Sequence, residues 1–423
     1  MDTTLEPMFK EMFSRSDVLA TAKATGAVQR LRDIHPQDFC LALVSSAMGD
    51  EERGIATARR KFAEQTGFSP EESSFYDRFT APMARTMGTL VRQGFNGCNR
   101  KHRRALVAAL RGSGLADVQA IDATQVALPR GAEEVFPSTD DERGGVKLTA
   151  VVSVLFQTVD KVTITDARSH DRKVLRLDRW LHGRLLLMDK GYYDHSLFET
   201  IEDRGGSFIV PLKSNASPRI VEIRSGLGQA HVGRTMDESL PYRGVVDVDA
   251  EFRLQGKGTH SARVVRVTVD KDCRDGTVLP VDIWLVTNLP PEKFSAEQLA
   301  SLYRLRWEVE IAFRVMKSVG RLDQLRTANE HVILAFLYAT LLGMILTQRI
   351  CAWMRTEWPS REPSFHRVAA LVFAWIARIM KAVGTRRFRD TVTEFVDVLR
   401  REGVNPNPGR PYAATAYAEA IGG

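Results

Sequence analysis

The sequence predicts an α/β protein: a mixed sheet covered by helices, carrying a β-rich insertion and flanked by helical regions at both ends. Three observations predict it. Apolar residues recur at helix-like spacing through residues 1–112, strand-like alternation takes over from about residue 115, and helical spacing returns after SAEQLA and persists to about residue 403. A chain of 423 residues is too long for one ordinary core. A central unit with added parts is the natural expectation.

In the N-terminal region, IATARRKFAEQTGFSPEESSFYDRF reads as a helix, a turn at Thr66-Gly67, and a second helix opened by Ser69-Pro70 with Glu71 and Glu72 in its first turn. The outline suits a helix-turn-helix that would set Ser73, Ser74, Tyr76 and Arg78 against DNA, and it suits a plain helical hairpin as well. The run NRKHRRALVAALR gathers Arg100, Lys101, Arg103, Arg104 and Arg111 with no acid among them. Such a run could track phosphates or form a solvated helix face.

Strands follow at DVQAIDATQVAL, GGVKLTAVVSVLF and KVTITDAR, with Gly144-Gly145 marking a turn. Next come a helix-like stretch (DRKVLRLDRWLHG), an apolar run (RLLLMD), a helix (HSLFETIEDRGG) and a strand (SFIVPLK). Three strands followed by alternating helix and strand suggest a mixed sheet with helical cover. Residues 214–290, with alternating Val, Arg and Thr, read as a β-rich insertion. The resulting division is a helical N-terminal region (1–112, assigned to DNA binding), a core (113–330) and a helical C-terminal region (331–423, a candidate for dimerisation).

Lys and Arg outnumber Asp and Glu by 59 to 52, a net charge of +7 that favours a polyanionic partner or an ordinary solvated surface. Cys40, Cys98, Cys273 and Cys351 are far apart, which argues against a zinc knuckle or disulfide framework and for a reducing cytoplasmic setting. The N-terminal residues lack the pattern of a signal peptide. The apolar stretch 332–347 falls short of the ~18 residues of a membrane span and is expected to be a buried helix, so no membrane partner is expected. The His residues show no metal-ligand spacing. Neither a P-loop nor a G-x-G-x-x-G after a strand is present.

Three segments carry the chemistry. Asp122 should share a strand face with Val118 and Ala120, and a carboxylate there is costly to bury unless paired or metal-bound. Asp189 repeats the situation at the end of LLLM, and strand ends in α/β sheets are where ligands bind. Each Asp alone could equally be a turn cap or ion-pair partner. The third segment is YRLRWEVEIAFRVMK. Read as one helix, it sets Tyr303, Arg306, Glu310 and Lys317 within an arc of about 60 degrees, extended by Arg314. A surface ion-pair stripe would also use Arg306 and Glu310, but would leave Tyr303 without a role. Phosphodiester cleavage needs charge stabilised on attacking and leaving oxygens, which two divalent ions held by three carboxylates can provide. Tyr303, Arg306 and Lys317 would hold the phosphate backbone beside them.

The spacing Y-x2-R-x3-E-x6-K at Tyr303, Arg306, Glu310 and Lys317 resembles the signature of bacterial insertion-sequence transposases of the insertion sequence 4 group, within the DDE superfamily. IDATQVALP around Asp122 and LLLMDKGYYD around Asp189 resemble the segments carrying that family's two Asp residues, and FIVPLKSN and IWLVTNLP resemble later stretches. The resemblance implies a ribonuclease-H-like catalytic core with a β-rich insertion between the second Asp and the Glu. It implies that Asp122, Asp189 and Glu310 hold two Mg²⁺ ions, with Mn²⁺ able to substitute. It further implies a bacterial, nucleoid-associated protein that binds terminal inverted repeats, pairs two ends as a homodimer, cuts them and joins the 3′ ends to target DNA. Some members form a hairpin, helped by an aromatic that receives a flipped base. Trp284 and Trp307 are candidates, and Trp284, in an apolar strand, reads as core. A nuclease that cuts without joining and a non-catalytic DNA-binding regulator are the rival readings.

Overall fold

A computed structural model describes the chain except residues 1–4, 48–53, 99–111, 140–142, 156–157, 171–174, 176, 237–243, 255–257, 273–277, 319–323, 384 and 407–423. The basic run from Arg100 to Arg111 therefore lies outside the described residues, as does most of the Pro/Gly/Ala-rich tail.

The N-terminal region is helical: α1 (Leu5–Met12), α2 (Arg15–Ala24), α3 (Pro36–Ala47), α4 (Ile55–Thr66), α5 (Glu72–Tyr76) and α6 (Ala81–Cys98). Gly67, at φ 75, closes α4 by donating its N–H to the Ala63 carbonyl, a left-handed cap that suits glycine. The second helix of the expected helix-turn-helix is only α5, five residues long. Its Phe75 is drawn into an aromatic cluster with Phe39, Phe62 and Phe79, and the chain turns there to supply Phe79. Ser73, Ser74 and Tyr76 stay exposed.

Nine strands form one sheet: β1 (Asp117–Ala127), β2 (Gly145–Ser153), β3 (Thr158–Asp166), β4 (Arg184–Met188), β5 (Ser207–Pro211), β6 (Arg219–Ser225), β7 (Val246–Leu254), β8 (Gly258–Asp272) and β9 (Val278–Thr287), in the order β3-β2-β1-β4-β5-β9-β8-β7-β6. The first three are an antiparallel meander, and β4 and β5 run parallel to β1. The crossover between β4 and β5 is α7 (His195–Asp203). The helix expected in DRKVLRLDRWLHG is reduced, among the described residues, to a 3-10 turn at Arg179–Leu181.

The β-rich insertion is present, but it does not interrupt the sheet. Strand β9 pairs antiparallel with β5, Ile209 opposite Thr287 and Pro211 opposite Leu285, so β6 to β9 extend the core sheet. Alternation in the insertion does not turn every arginine outward, for Arg263 and Arg266 are both buried. Arg263 donates to both oxygens of Asp247 and to the carbonyls of Leu289 and Phe294. A buried guanidinium with this many acceptors keeps the partners that its desolvation requires. It also fastens the loop that leaves β9.

That loop ends in a capping box at Ser295 and Gln298 that opens α8 (Ala296–Arg304). Four helices follow: α9 (Trp307–Ser318), α10 (Glu330–Glu357), α11 (Phe365–Ala382) and α12 (Phe388–Glu402). By length and composition α10 could cross a membrane, yet 78% of its most apolar window is buried. It packs against α3, α6 and α11, so the N- and C-terminal helices share one core with a sheet face, and stretch 332–347 is the expected buried helix. Cys40 and Cys351 are buried free thiols, and burial pushes each up to about 12. Cys273 lies outside the described residues.

Side chains of β1 alternate between two cores. Val118 and Ala120 enter the core shared with the helices, and Ile121 enters a second core with Leu186, Met188, Phe198 and Phe208. The first residue of the strand, Asp117, is a buried carboxylate. Its Oδ1 accepts the Val118 N–H at 2.8 Å and the Ser153 hydroxyl at 2.9 Å. Burial, with Asp160 nearby, pushes its pKa up to about 7.

Two stability predictions follow from this packing. At the α10–α11 crossing, a Cβ on Gly343 would stand 1.9 Å from the Phe373 ring. Gly343→Ala is therefore expected to lower thermal stability by about 1–3 kcal/mol of overpacking, less the helix gain from replacing glycine; an unchanged melting temperature by circular dichroism would show that the ring yields freely. For Asp117 the folded state holds its proton more tightly than the unfolded chain. The stabilisation is complete below about pH 3.8 and is lost as pH rises toward about 7. Asp117→Asn, which keeps both accepted hydrogen bonds, should raise the melting temperature more at pH 7.5 than at pH 4.5, and an equal gain at both would rule out the buried charge as the cause.

Candidate active site

The parallel register of β1 and β4 builds the site. Ala120 lies beside Leu187 and Ile121 beside Met188, so Asp122 and Asp189 are the next positions on neighbouring strands, which run about 4.8 Å apart. Pleat alternation places both on the face shared by Ala120 and Leu187, the face that carries α9. The fold thus brings two Asp residues that are remote in sequence onto neighbouring strands.

Asp122 is partly buried. Its Oδ1 accepts the Ala123 N–H at 2.8 Å. Burial is the main cause raising its pKa; Asp189 and Glu310 push the same way, against the Ala123 N–H and Arg306. Asp189 follows β4 and caps the 3-10 turn Lys190–Tyr192, its Oδ1 accepting the Gly191 N–H at 2.8 Å. The cap fixes its direction without a side-chain partner.

The single helix expected over 303–317 is two helices joined by a turn. Tyr303 belongs to the last turn of α8, Leu305 and Arg306 make the turn, and Glu310 and Lys317 lie on α9. The Arg306 N–H donates to the Tyr303 carbonyl at 3.0 Å, a three-residue spacing rather than the four of an α-helix. The arc drawn on one helix therefore does not survive, but its near end does. Arg306 Nη2 donates to Glu310 Oε1 at 2.7 Å and Nη1 to Asp122 Oδ2 at 3.3 Å, with the Tyr303 ring centroid 6.0 Å from the guanidinium carbon. Burial pushes the Tyr303 phenol up to about 12, so it stays protonated at neutral pH. Lys317, with Arg314, is exposed toward the far end of α9, about 10 Å along the axis from Glu310.

The oxygen-only donor set of Asp122, Asp189 and Glu310 suits a hard divalent cation. A cation already stands among them, the Arg306 guanidinium, in contact with two of the three. Among the described residues no group of three His, Cys, Asp or Glu side chains is arranged as a ready ligand set. Arg306 thus occupies one oxygen of Asp122 and one of Glu310 in this arrangement.

Of the aromatics, Trp307 is 48% exposed beside Arg306, and Trp284 is half-buried under the Arg266 guanidinium. A titratable pair that the sequence did not reveal lies elsewhere, at the start of α7. His195 Nδ1 is 2.9 Å from His260 Nδ1 of β8, and His260 Nε2 is 3.4 Å from Glu202. Burial and the neighbouring His260 lower His195 to about 4. Their 65-residue separation leaves no local pattern to find.

Two carboxylates on neighbouring strands, with a third on a helix packed over that face, define a carboxylate-centred α/β site. Residues 113–346 match the family model described as the transposase DDE domain, more than half of the chain, and the chain belongs to that family. A putative transposase for insertion sequence element IS186A of Escherichia coli (strain K12) is 43% identical over 68 residues, covering 16% of this chain and 18% of that protein. The chain thus spans less than a fifth of that relative in the matched region. The putative transposase y4zB of Sinorhizobium fredii (strain NBRC 101917 / NGR234) is 25% identical over 336 residues, covering 79% of this chain and 80% of that protein. Among solved structures, the piggyBac transposase synaptic complex with hairpin DNA is similar with a TM-score of 0.44 and 12% identity, over 92% of this chain and 84% of that one.

Proposed function

We propose that the chain is a DNA transposase of the insertion sequence 4 type, which cuts the ends of its element and joins the 3′ ends to target DNA. The observation that carries this reading is the placement of Asp122, within β1, and Asp189, just past the end of the neighbouring β4, on the face covered by the helix that bears Glu310, with Arg306 bridging Asp122 and Glu310. The strand order β3-β2-β1-β4-β5, a meander followed by two parallel strands, supports a ribonuclease-H-like core.

In this reading Asp122, Asp189 and Glu310 hold two Mg²⁺ ions, or Mn²⁺ in their place. Bound there, they would stabilise charge on the attacking and leaving oxygens of a phosphodiester. The chain's own groups bind and orient. Arg306 can grip a phosphate by two parallel hydrogen bonds, Lys317 acts as a point charge, and the protonated Tyr303 phenol can donate one hydrogen bond. Capping of Gly191 by Asp189 and of Ala123 by Asp122 holds the carboxylates in fixed directions. The substrates are double-stranded DNA carrying terminal inverted repeats and target DNA, bound by a homodimer in a bacterial cytoplasm, with the N-terminal helices supplying DNA contacts.

Asp189→Ala is expected to abolish Mg²⁺-dependent strand cleavage while largely sparing DNA binding, and full cleavage by that variant would remove Asp189 from the reaction. A strand-transfer assay with pre-cleaved ends separates a transposase, which yields joined products, from a nuclease that only cuts. Lys317→Ala should weaken DNA binding and lessen its dependence on salt by about one phosphate contact. Cleavage and binding unaltered at every ionic strength would leave Lys317 with no phosphate role.

A further inference from the structure

We propose that Arg306 is a built-in counter-ion that occupies the carboxylate site until a DNA phosphate draws it away, so that DNA binding precedes metal binding. This inference rests on the reading that Asp122, Asp189 and Glu310 are the metal ligands. What it adds is an order of events and a second duty for the arginine.

The geometry supports it at three points. The guanidinium spans Asp122 Oδ2 at 3.3 Å and Glu310 Oε1 at 2.7 Å, charge-assisted contacts that occupy oxygens a metal would need. It is enclosed, with 16% of its side chain exposed against 30% for Glu310, and it lies beside the Tyr303 ring. It also springs from the turn between α8 and α9, so its side chain can swing without unwinding either helix.

Charge makes the occupancy exclusive. Carboxylates gathered at one place repel one another and need a cation nearby, and Arg306, in contact with Asp122 and Glu310, answers that need in the free protein. A divalent ion arriving beside an arginine still in place meets like charge at a few ångströms. A DNA phosphate offers the same planar guanidinium a bidentate acceptor outside the pocket, where the exposed Arg314 and Lys317 of α9 add attraction. Once Arg306 turns to the phosphate, the carboxylates are left without a counter-ion and their demand passes to the metal. Free metal ions would then load the protein poorly until DNA is seated.

The test is Mn²⁺ binding by the full chain, followed by electron paramagnetic resonance of the free ion, with and without a mixed-sequence duplex oligonucleotide. The wild type should bind Mn²⁺ weakly alone and more tightly with the duplex. Arg306→Gln should bind it about tenfold or more tightly without DNA and gain little from the duplex. Arg306→Lys keeps the charge but cannot span two carboxylates, and should fall between. Should Arg306→Gln fail to fold by circular dichroism, the Arg306→Lys comparison decides. Unchanged Mn²⁺ affinity in the folded Arg306 variants would overturn the proposal. Adding Asp122→Asn to each background separates the two readings: if it abolishes Mn²⁺ binding while Arg306→Gln gains nothing, the site stands and the counter-ion role fails. If it changes Mn²⁺ binding in no background, the metal site itself is wrong.

Discussion

The parallel pairing of β1 with β4 is the constraint on which the site depends. A parallel register sets corresponding positions side by side, so a single pair, Ile121 against Met188, commits the next two residues to neighbouring positions where the β1–β4 pairing ends. Slipping either strand by one residue would turn its aspartate to the opposite face. The apolar residues behind the aspartates resist that slip. Leu185, Leu187, Val118 and Ala120 fill the core shared with the helices, while Leu186, Met188 and Ile121 fill the other. Full burial of residues of this size is worth about 1.5–3 kcal/mol each, so the register is held by many terms and the carboxylates contribute none of it. The strands can therefore tolerate a cluster of like charges at their tips.

The third carboxylate is placed by a different route, through the extension of the sheet. Strand β9 joins β5, and Arg263 ties the loop after β9 to Asp247 of β7. The Ser295 capping box then starts α8 in a fixed direction, and the turn at Leu305 and Arg306 redirects the chain into α9 over β1 and β2. Val309, Ala312, Phe313 and Met316 seat α9 in the helical core. The insertion thus belongs mechanically to the site: a buried arginine far from the aspartates helps determine where Glu310 arrives.

Much of this was legible in the sequence because strands and helices impose different periods. The alternation in DVQAIDATQVA and the apolar run of β4 identified both aspartate strands, while their adjacency is supplied by the fold. The break between α8 and α9 was not legible. Leu305 keeps right-handed angles, φ −69 and ψ −13, and no Gly or Pro marks the turn, so the residue pattern does not betray it. Nor was the fusion of the insertion with the core sheet, since β5 and β9 pair across nearly the whole insertion and no local pattern records a partner so distant. Asp117 and His195 belong to the same class: their unusual proton affinities arise chiefly from burial, which only the assembled sheet supplies.

The turn that the sequence concealed is also what gives the site its character. On one continuous helix Tyr303, Arg306 and Glu310 would stand as a stripe facing a substrate, with the arginine free to meet phosphate at any time. At the turn Arg306 instead meets Asp122 of β1 and Glu310 of α9 together. The same residue therefore reads as a phosphate ligand in sequence and as an internal counter-ion in the folded chain. In the proposed order of events one role gives way to the other, because the donors committed to Asp122 and Glu310 cannot serve a phosphate at the same time. A residue with two mutually exclusive partners, at a hinge between two helices, couples the occupancy of one to the release of the other.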